Sequence, residues 1–398
     1  MPLNIRFLAP LVLSSALVGC QHTSRVPAGS SFTFDGPIAE DAHFVAAFQE
    51  VEAWQRKGAF PGAVLAIGVG GKLVALRAFG RLDSSEDAPA MPVDAIFDVA
   101  SLTKVAAATT SMAVLYSEGR VKLDDPVVRY LPEFAGPRWH ESITVRHLLS
   151  HSSGLPSPIL LWKHAATREQ LLNLVYQLPG EQAPGTHVDY RDENFILLGE
   201  LMERVSGQPL SELARSKVFG PLGMKDTGFR PAQSLLPRIA PTELDTYYRH
   251  VLVKGTVHDE SAHVMGGVSG NAGLFSTASD LARLAQMYLN GGSLNGVRLL
   301  SPEVATTFLS RQDLPAGSSR ALGWDTPVGN AAPFAGQLAS ADAVMHTGFT
   351  GTSVYIDRTR NAYVVLLTNR VNPSRENRQI GQARIAIHTA VLKALDGR

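Results

Sequence analysis

Residues 97–116 of the chain have the sequence FDVASLTKVAAATTSMAVLY. After Ser101 this stretch is almost uncharged, which predicts a helix that is buried on every side. Its one charge after the serine is Lys104, and the spacing of three residues places a hydroxyl and an amine on one helix face. Because a buried lysine without a partner is costly, we expect Lys104 to be paired or functional.

Ser101 stands where this helix is expected to begin. The first backbone N–H groups of a helix lack partners, and the helix dipole favours negative charge there. A nucleophile, a nearby base and an anion-stabilising helix end together indicate acyl transfer. The same residues also fit a capping serine and a lysine that reaches water, so this short motif alone does not decide between the two.

The composition narrows the class of protein. With 398 residues, the chain is long enough for one large domain or two ordinary ones. Hydrophobic residues make up 45% and charged residues 18%, which allows a large core. The formal net charge is zero and no basic cluster stands out, so we expect no nucleic-acid partner.

The N-terminus has the pattern of a secretory signal over residues 1–20, with Arg6 before an apolar run. It ends in Leu-Val-Gly-Cys20, which resembles the lipobox of bacterial lipoproteins, and Cys20 is the only cysteine. We expect lipidation of Cys20, although an ordinary signal peptide with a chance cysteine has the same pattern. Gln21 implies, by resemblance to Gram-negative lipoproteins, a periplasmic protein anchored by lipid in the outer membrane. Residues 21–40 are rich in Ser, Thr, Pro and Gly, which predicts a flexible tether.

Hydrophobic periodicity and turn residues predict the elements of a folded domain over residues 41–398. Helices are expected over residues 43–57, 101–116, 143–156 in part, 190–205, 211–218, 280–289 and 378–395, and strands over 63–69, 73–79, 343–346, 352–356 and 363–368. Residues 230–275 show little periodicity but keep apolar residues, which predicts an ordered functional loop.

The order of these elements predicts an α+β fold with one mixed sheet, because strands lie near both ends of the chain with helices between them. The sheet lobe would comprise about residues 41–100 and 320–398. The helical lobe would comprise about residues 101–319, with a cleft between the two lobes.

Three short motifs follow one another along the chain: Ser101-Leu-Thr-Lys104, Tyr190-Arg-Asp192 and His346-Thr347-Gly348. Together they resemble the Ser-x-x-Lys, Tyr-x-Asn and Lys/His-Thr-Gly motifs of serine hydrolases of the class C beta-lactamase type. That superfamily includes low-molecular-weight penicillin-binding proteins and related esterases. The resemblance runs from about residue 45 to the C-terminus. It implies the beta-lactamase/transpeptidase-like fold, with an antiparallel sheet flanked by N- and C-terminal helices, a helical lobe, and the active site between them.

A narrower resemblance lies in the segments IAPTELD (residues 239–245), GTVHDESA (255–262) and the glycine-rich run that follows. These are similar to periplasmic penicillin-binding proteins of D-alanyl-D-alanine carboxypeptidase type, and to hydrolase modules found beside N-acetylhexosaminidases. The resemblance implies a cell-wall peptide substrate and beta-lactam ligands. An esterase or weak beta-lactamase on the same site, and a non-catalytic peptidoglycan-binding protein, are the alternatives. The motifs do not show whether a peptide, an ester or a beta-lactam is the preferred substrate, because that preference depends on the shape of the pocket.

The family motifs assign roles to individual residues. By resemblance, Ser101 is the acylated nucleophile, Lys104 the base that activates it, and Tyr190 the group that carries the proton to the leaving group. Lys104 serves as base only if its surroundings lower its pKa. His346 and Thr347 would hold the substrate along the strand edge. The oxyanion hole would be the Ser101 N–H and the N–H of Phe349, just after Gly348.

The resemblance implies no metal and no organic cofactor, and we expect a monomer. His258, Asp259 and His263 are expected to shape the cleft wall, because no motif such as His-Glu-x-x-His accompanies them. His151 is expected to be a buried, hydrogen-bonded histidine. Arg370 and Arg375 are interpreted as solvated loop arginines, although both could meet a substrate carboxylate.

Two positions depart from the family pattern. Asp192 stands where asparagine is usual, and a carboxylate cannot donate to a substrate carbonyl and favours a charged Lys104. Efficient beta-lactamase action is therefore not expected, and our hypothesis is that Asp192 orients Lys104 or binds a substrate amide N–H. His346 replaces lysine and is only partly charged near pH 7, so it anchors a carboxylate less strongly and leaves room for esterase activity.

Overall fold

A computed structural model of the protein describes residues 42–156, 160–327 and 334–398. The expected signal peptide, the tether and Cys20 lie outside the described residues. Within the described ranges, no helix has the length and apolar character needed to cross a membrane.

A five-stranded sheet unites strands from both ends of the described chain. In chain order the strands of the described part are β1 (Gly62–Val69), β2 (Lys72–Gly80), β3 (Phe97–Asp98), β4 (Gly228–Phe229), β5 (Leu244–Asp245), β6 (Val251–Leu252), β7 (Leu274–Ser276), β8 (Ser293–Leu294), β9 (Val297–Arg298), β10 (Val344–Thr347), β11 (Ser353–Asp357) and β12 (Ala362–Thr368). The order of strands in the large sheet is β10-β11-β12-β1-β2. Every pairing in the large sheet is antiparallel. The expectation of a mixed sheet is wrong, because short turns join β1 to β2 and β10 through β12, and β12 runs back beside β1.

Helices make up much of the rest of the described chain. The α-helices are α1 (Val45–Arg56), α2 (Thr110–Ser117), α3 (Val145–Leu149), α4 (Arg168–Tyr176), α5 (Asp192–Ser206), α6 (Leu210–Ala214), α7 (Gly220–Leu222), α8 (Glu260–Val264), α9 (Ala278–Leu289), α10 (Pro302–Leu309) and α11 (Ile380–Asp396). π-helical turns at Lys104–Thr109 and Arg215–Phe219 lead into α2 and α7. Single 3₁₀ turns occupy Ala42–Phe44, Val127–Arg129, Pro132–Phe134, His140–Ser142 and Leu161–Lys163, with a longer one at Gln233–Arg238.

Two hydrophobic cores lie on opposite faces of the sheet. Strand β1 alternates between them, because Ala63, Leu65 and Ile67 face α1 and α11 while Val64 and Ala66 face the helical part of the chain. Helix α9 packs on that second face. The helix after Ser101 lies within the second core, and residues 104–115 are all buried, as the sequence predicts.

Most predicted elements are confirmed to within a few residues, and residues 230–275 are ordered, as expected. Four α-helices of the described chain were not predicted: α4, α7, α8 and α10. The starts of α4 and α10 carry a usable signal, since the Thr167 and Ser301 side chains cap them and Pro302 occupies the first turn of α10. The antiparallel sheet with terminal helices, implied by the family resemblance, is confirmed.

Candidate active site

The site is built around a strained turn that joins β3 to the buried helix. Ala100, just before Ser101, has a φ of 48°, a left-handed conformation that costs energy for any residue with a Cβ. The buried Asp98 carboxylate holds the turn, because it accepts hydrogen bonds from the Ala100 N–H (2.8 Å) and the His258 N–H (2.7 Å). Ser101 is thereby presented at the edge of a cleft.

Lys104 lies beneath Ser101 at 0% exposure. Its ammonium donates to Ser101 Oγ (3.1 Å), to Asp192 Oδ1 (2.6 Å) and to the Asn271 carbonyl (3.0 Å). Burial by itself would lower the pKa of Lys104, but the Asp192 carboxylate and Tyr190 outweigh it and raise that pKa above its usual value. The resting lysine is thus a cation with all three donors used. A base must be deprotonated, whereas a raised pKa keeps Lys104 protonated at pH 7. The role of Lys104 as the base therefore stays a prediction.

Tyr190 lies over the lysine, with its ring centroid 4.8 Å from the ammonium. Its hydroxyl is close enough to Lys104 and Ser101 for both groups to affect the pKa of Tyr190. The Tyr190 residue is 38% exposed in the cleft, but desolvation of its hydroxyl outweighs the Lys104 charge and raises the pKa of Tyr190, so the resting side chain is a neutral phenol that can donate a proton. The prediction of a hydrogen-bonded His151 is confirmed, because this buried ring accepts from the Arg191 N–H (3.1 Å) and lies 4.5 Å from the Tyr190 ring.

The third motif lies on and just after β10. His346 is buried, and burial followed by the charges of Lys104 and Arg320 lowers its pKa to about 3. The expectation of a partly charged histidine near pH 7 is therefore wrong, since this ring is neutral there. It lies 6.1 Å from the Tyr190 ring, and its Nε2 has no partner among the described residues.

The turn after β10 places Phe349 beside Ser101. The Thr350 hydroxyl donates to the Asp98 carbonyl (2.7 Å), and the Thr352 hydroxyl donates to the Val99 carbonyl (3.0 Å). In the described chain, neither the Ser101 N–H nor the Phe349 N–H donates a hydrogen bond to another residue. Both residues line the cleft, so two unused donors are available there, as an oxyanion hole requires.

Gly348 is required by this close approach of two chain segments. A Cβ at that position would lie 2.4 Å from the Val99 carbonyl oxygen and 2.1 Å from the Thr352 hydroxyl. The glycine of the third motif therefore allows the β10 turn to lie directly on the residues that precede Ser101.

The cleft has a volume of about 380 Å³. It is lined by Ala100, Ser101, Leu160, Trp162, Tyr190, Arg191, Asp192, Glu193, residues 258–261, Ala272, Phe349 and Arg375. His346, Thr347 and Gly348 are not part of this lining. The loop of residues 230–275 supplies one wall, and in the described ranges no group of three His, Cys, Asp or Glu side chains is arranged to hold a metal ion.

The interpretation as solvated loop arginines is wrong for Arg370, which is buried, while Arg375 is 25% exposed and lines the cleft. Arg370 is 6% exposed and donates to the Phe349 carbonyl at 2.7 Å. Arg375 pairs with Glu243 (2.7 Å) and Glu260 (2.8 Å) in the cleft wall. The loop after β12 folds back under Phe349, which sequence periodicity does not reveal.

Two carboxyl groups of the cleft have unusual pKa values. Glu193 is 6% exposed, its Oε2 has no partner among the described residues, and burial raises its pKa to about 7. Burial, together with the Asp192 charge, raises the pKa of Asp259 to about 6. Glu193 was missed because an acid in the first turn of a helix is normally explained by the helix dipole.

Comparison with known proteins agrees with this geometry. The profile of the beta-lactamase family matches residues 42–388. A protein of Escherichia coli O157:H7 named "Putative D-alanyl-D-alanine carboxypeptidase" is 33% identical over 359 residues, which cover 81% of this chain and 82% of that protein.

Two solved structures show the same fold. "EstCE1, a hydrolase with promiscuous acyltransferase activity" has a TM-score of 0.71 at 23% identity and covers 88% of this chain and 98% of its own. A penicillin-binding protein homologue from Caulobacter crescentus has a TM-score of 0.70 at 22% identity, with 89% and 98% covered. The fold and family expected from the three motifs are confirmed. The chain therefore belongs to the beta-lactamase family and is an enzyme of its serine-hydrolase class.

Proposed function

We propose that the protein is a penicillin-binding D-alanyl-D-alanine carboxypeptidase or endopeptidase that acts on cell-wall peptides through an acyl-enzyme on Ser101. The observation that carries the proposal is the contact of Ser101 Oγ with Lys104 Nζ at 3.1 Å, with the Tyr190 ring 4.8 Å from the same ammonium. The name of the relative that is 33% identical over 81% of the chain supports the peptide substrate.

In the proposed reaction, a Lys104 that has lost its proton takes the Ser101 proton, and Ser101 Oγ attacks the carbonyl carbon of the penultimate D-alanine. The carbonyl oxygen becomes an anion held by the Ser101 and Phe349 N–H groups. Tyr190 gives its phenol proton to the leaving nitrogen as the C–N bond breaks, and Lys104 returns a proton to Tyr190. Water then repeats the sequence on the acyl-enzyme, which releases the shortened peptide and restores the serine.

An esterase acting on substrates without a carboxylate is the second candidate. The observation that favours it is the state of the cationic groups. Arg375 is paired with two glutamates, Arg191 lies 3.6 Å from Asp189, and His346 is neutral at pH 7 because burial holds its pKa at about 3. A substrate carboxylate would have to compete for these arginines, whereas an ester has no such need.

We also propose that the protein is anchored in the periplasm by lipid on Cys20. The lipobox resemblance and the sole cysteine support this proposal. Metabolic labelling with a fatty-acid analogue should modify the wild type and not Cys20→Ala. A wild-type protein that carries no label and is released from membranes by buffer alone would contradict the anchor.

The test of the activity is acylation by a fluorescent penicillin, with wild type and Ser101→Ala side by side, followed by intact mass. A persistent Ser101-dependent adduct, with release of D-alanine from a D-Ala-D-Ala peptide, supports the carboxypeptidase. A rapidly cleared adduct would indicate a beta-lactamase. Hydrolysis of nitrophenyl esters through Ser101 with no adduct would favour the esterase. If Ser101→Ala still reacts with penicillin and still hydrolyses the peptide or the ester, the acyl-enzyme proposal is overturned.

A further inference from the structure

Two buried arginines lie behind the turn that carries Phe349. Arg384, on α11, is 9% exposed, and Arg370 is 6% exposed. Neither forms an ion pair with a carboxylate among the described residues, and Arg384 Nε has no partner there at all. Burial accordingly lowers the pKa of Arg384 to about 9. Burying a cation without a counter-ion costs folding free energy. We therefore expect Arg384 to have a function that explains its position.

The hydrogen bonds of Arg384 identify the group that it holds. Its Nη2 donates to the Gly348 carbonyl (2.6 Å) and to the Thr352 carbonyl (2.8 Å). The Gly348 carbonyl and the Phe349 N–H belong to one peptide unit. Because a trans peptide is planar, its C=O and N–H point in opposite directions. The Gly348 carbonyl also accepts from the Gly351 N–H (3.1 Å), and with its carbonyl held in this way the Phe349 N–H points away from both donors, at a residue that lines the cleft.

Arg370 strengthens the same arrangement from the next peptide. Its Nε donates to the Phe349 carbonyl at 2.7 Å, and its Nη1 donates to the carbonyls of Arg375 (2.9 Å) and Asn377 (2.8 Å). Both peptide groups that flank the Phe349 Cα are thus held by a guanidinium. Arg370 also lies 4.3 Å from the centroid of the Phe349 ring, and two positive charges this close to the turn favour a negative charge at the Phe349 N–H.

We propose that Arg384 is a positioning residue of the oxyanion hole: through the Gly348 carbonyl it fixes the direction of the Phe349 N–H and stabilises the anionic intermediate. The inference rests on the proposed acyl-enzyme at Ser101. A guanidinium suits this role better than an ammonium, since its planar donors can bridge two carbonyls in a fixed geometry. Arg384 does not touch the substrate and acts through the peptide alone.

The test compares wild type with Arg384→Met, Arg384→Lys and a control, His388→Gln. His388 lies one turn further along α11, is also buried, and contacts Phe334 and Tyr355 in the core between α11 and the sheet. Its Nδ1 bonds to the backbone carbonyl of Arg384 and not to the guanidinium. Ester hydrolysis gives kcat and KM, and an aryl boronic acid, which forms a tetrahedral anion on serine, reports affinity for the intermediate. We expect Arg384→Met to lower kcat by about 10- to 100-fold with KM changed less than about threefold. The boronate affinity of Arg384→Met should fall by a similar factor. The kcat and boronate affinity of Arg384→Lys should lie between those of wild type and Arg384→Met.

A purely structural arginine would behave differently. If Arg384→Met lowers Tm as His388→Gln does but leaves kcat and boronate affinity at the wild-type values, the inference is overturned. If Arg384→Met does not fold, Arg384→Lys decides, because wild-type kcat and boronate affinity in that variant would also overturn it. Ser101→Ala separates the two proposals. Full activity there refutes the acyl-enzyme and this inference with it, whereas a dead Ser101→Ala with an unaffected Arg384→Met refutes this inference alone.

Discussion

Replacing Asp192 with asparagine tests how Lys104 is kept in its resting state. The Asp192 carboxylate lies 2.6 Å from the Lys104 ammonium and offsets the effect of burial, so that the pKa of Lys104 is raised above its usual value. Asparagine keeps a hydrogen-bond acceptor at the same place but removes the charge. Burial should then dominate, and the pKa of Lys104 should fall.

The size of the effect follows from the burial of the two partners. An opposite charge at this range typically shifts a pKa by about one to three pH units. Lys104 is 0% exposed, but the Asp192 side chain is 42% exposed, so water screens the pair and the lower part of that range applies. We expect a change of about one to two pH units, which corresponds to about 1.4 to 2.7 kcal/mol. The fraction of neutral Lys104 at pH 7 would rise about 10- to 100-fold.

The assay is the pH dependence of the acylation rate with a chromogenic ester or a fluorescent penicillin. If neutral Lys104 is the base, the rising limb of the profile should move to lower pH by about one to two units, and the rate at pH 7 should increase. Asp189→Asn is the matched control, because Asp189 pairs with Arg191 and has no contact with Lys104. An Asp192→Asn profile that coincides with wild type and with this control would refute the reasoning, including the hypothesis that Asp192 orients Lys104.

Two further predictions follow from buried groups. Glu193 has a pKa raised by burial to about 7, against a usual 4.5, so its contribution to stability is complete below pH 4.5 and is lost as the pH rises through 7. Glu193→Gln should therefore be more stable than wild type by up to about 3 kcal/mol at pH 8 and nearly equal to it at pH 4, as urea unfolding would show, and equal differences at both pH values would contradict the burial argument. Gly348→Ala should lower kcat and destabilise the fold by about 1–3 kcal/mol, because its Cβ would meet the Val99 carbonyl oxygen at 2.4 Å. Gly381→Ala, whose Cβ would meet nothing within 4 Å, is the control, and a Gly348→Ala enzyme as active and stable as this control would show that the turn relaxes freely.

The contact between Ser101 and Lys104 shows which features of the site could be predicted from the sequence. The spacing of Ser101 and Lys104, and the uncharged run after them, was enough to predict a buried helix with both side chains on one face. The protonation state of Lys104 was beyond that reasoning. It depends on Asp192, which is 88 positions away, and on the Asn271 carbonyl, which is 167 positions away.

The sequence by itself determined the family, the order of the main helices and strands, and part of the cleft lining (Ser101, Tyr190 and Asp192), because these follow from short motifs and from the period of apolar residues. Only the tertiary structure decided the order of the strands in the sheet, that His346 is neutral because burial lowers its pKa, and that Arg370 and Arg384 hold the carbonyls of the turn at Phe349. The physical reason is that strand order, desolvation and charge depend on which distant segments pack together. The pKa of a buried side chain depends on the groups that surround it, and these groups come from distant parts of the sequence.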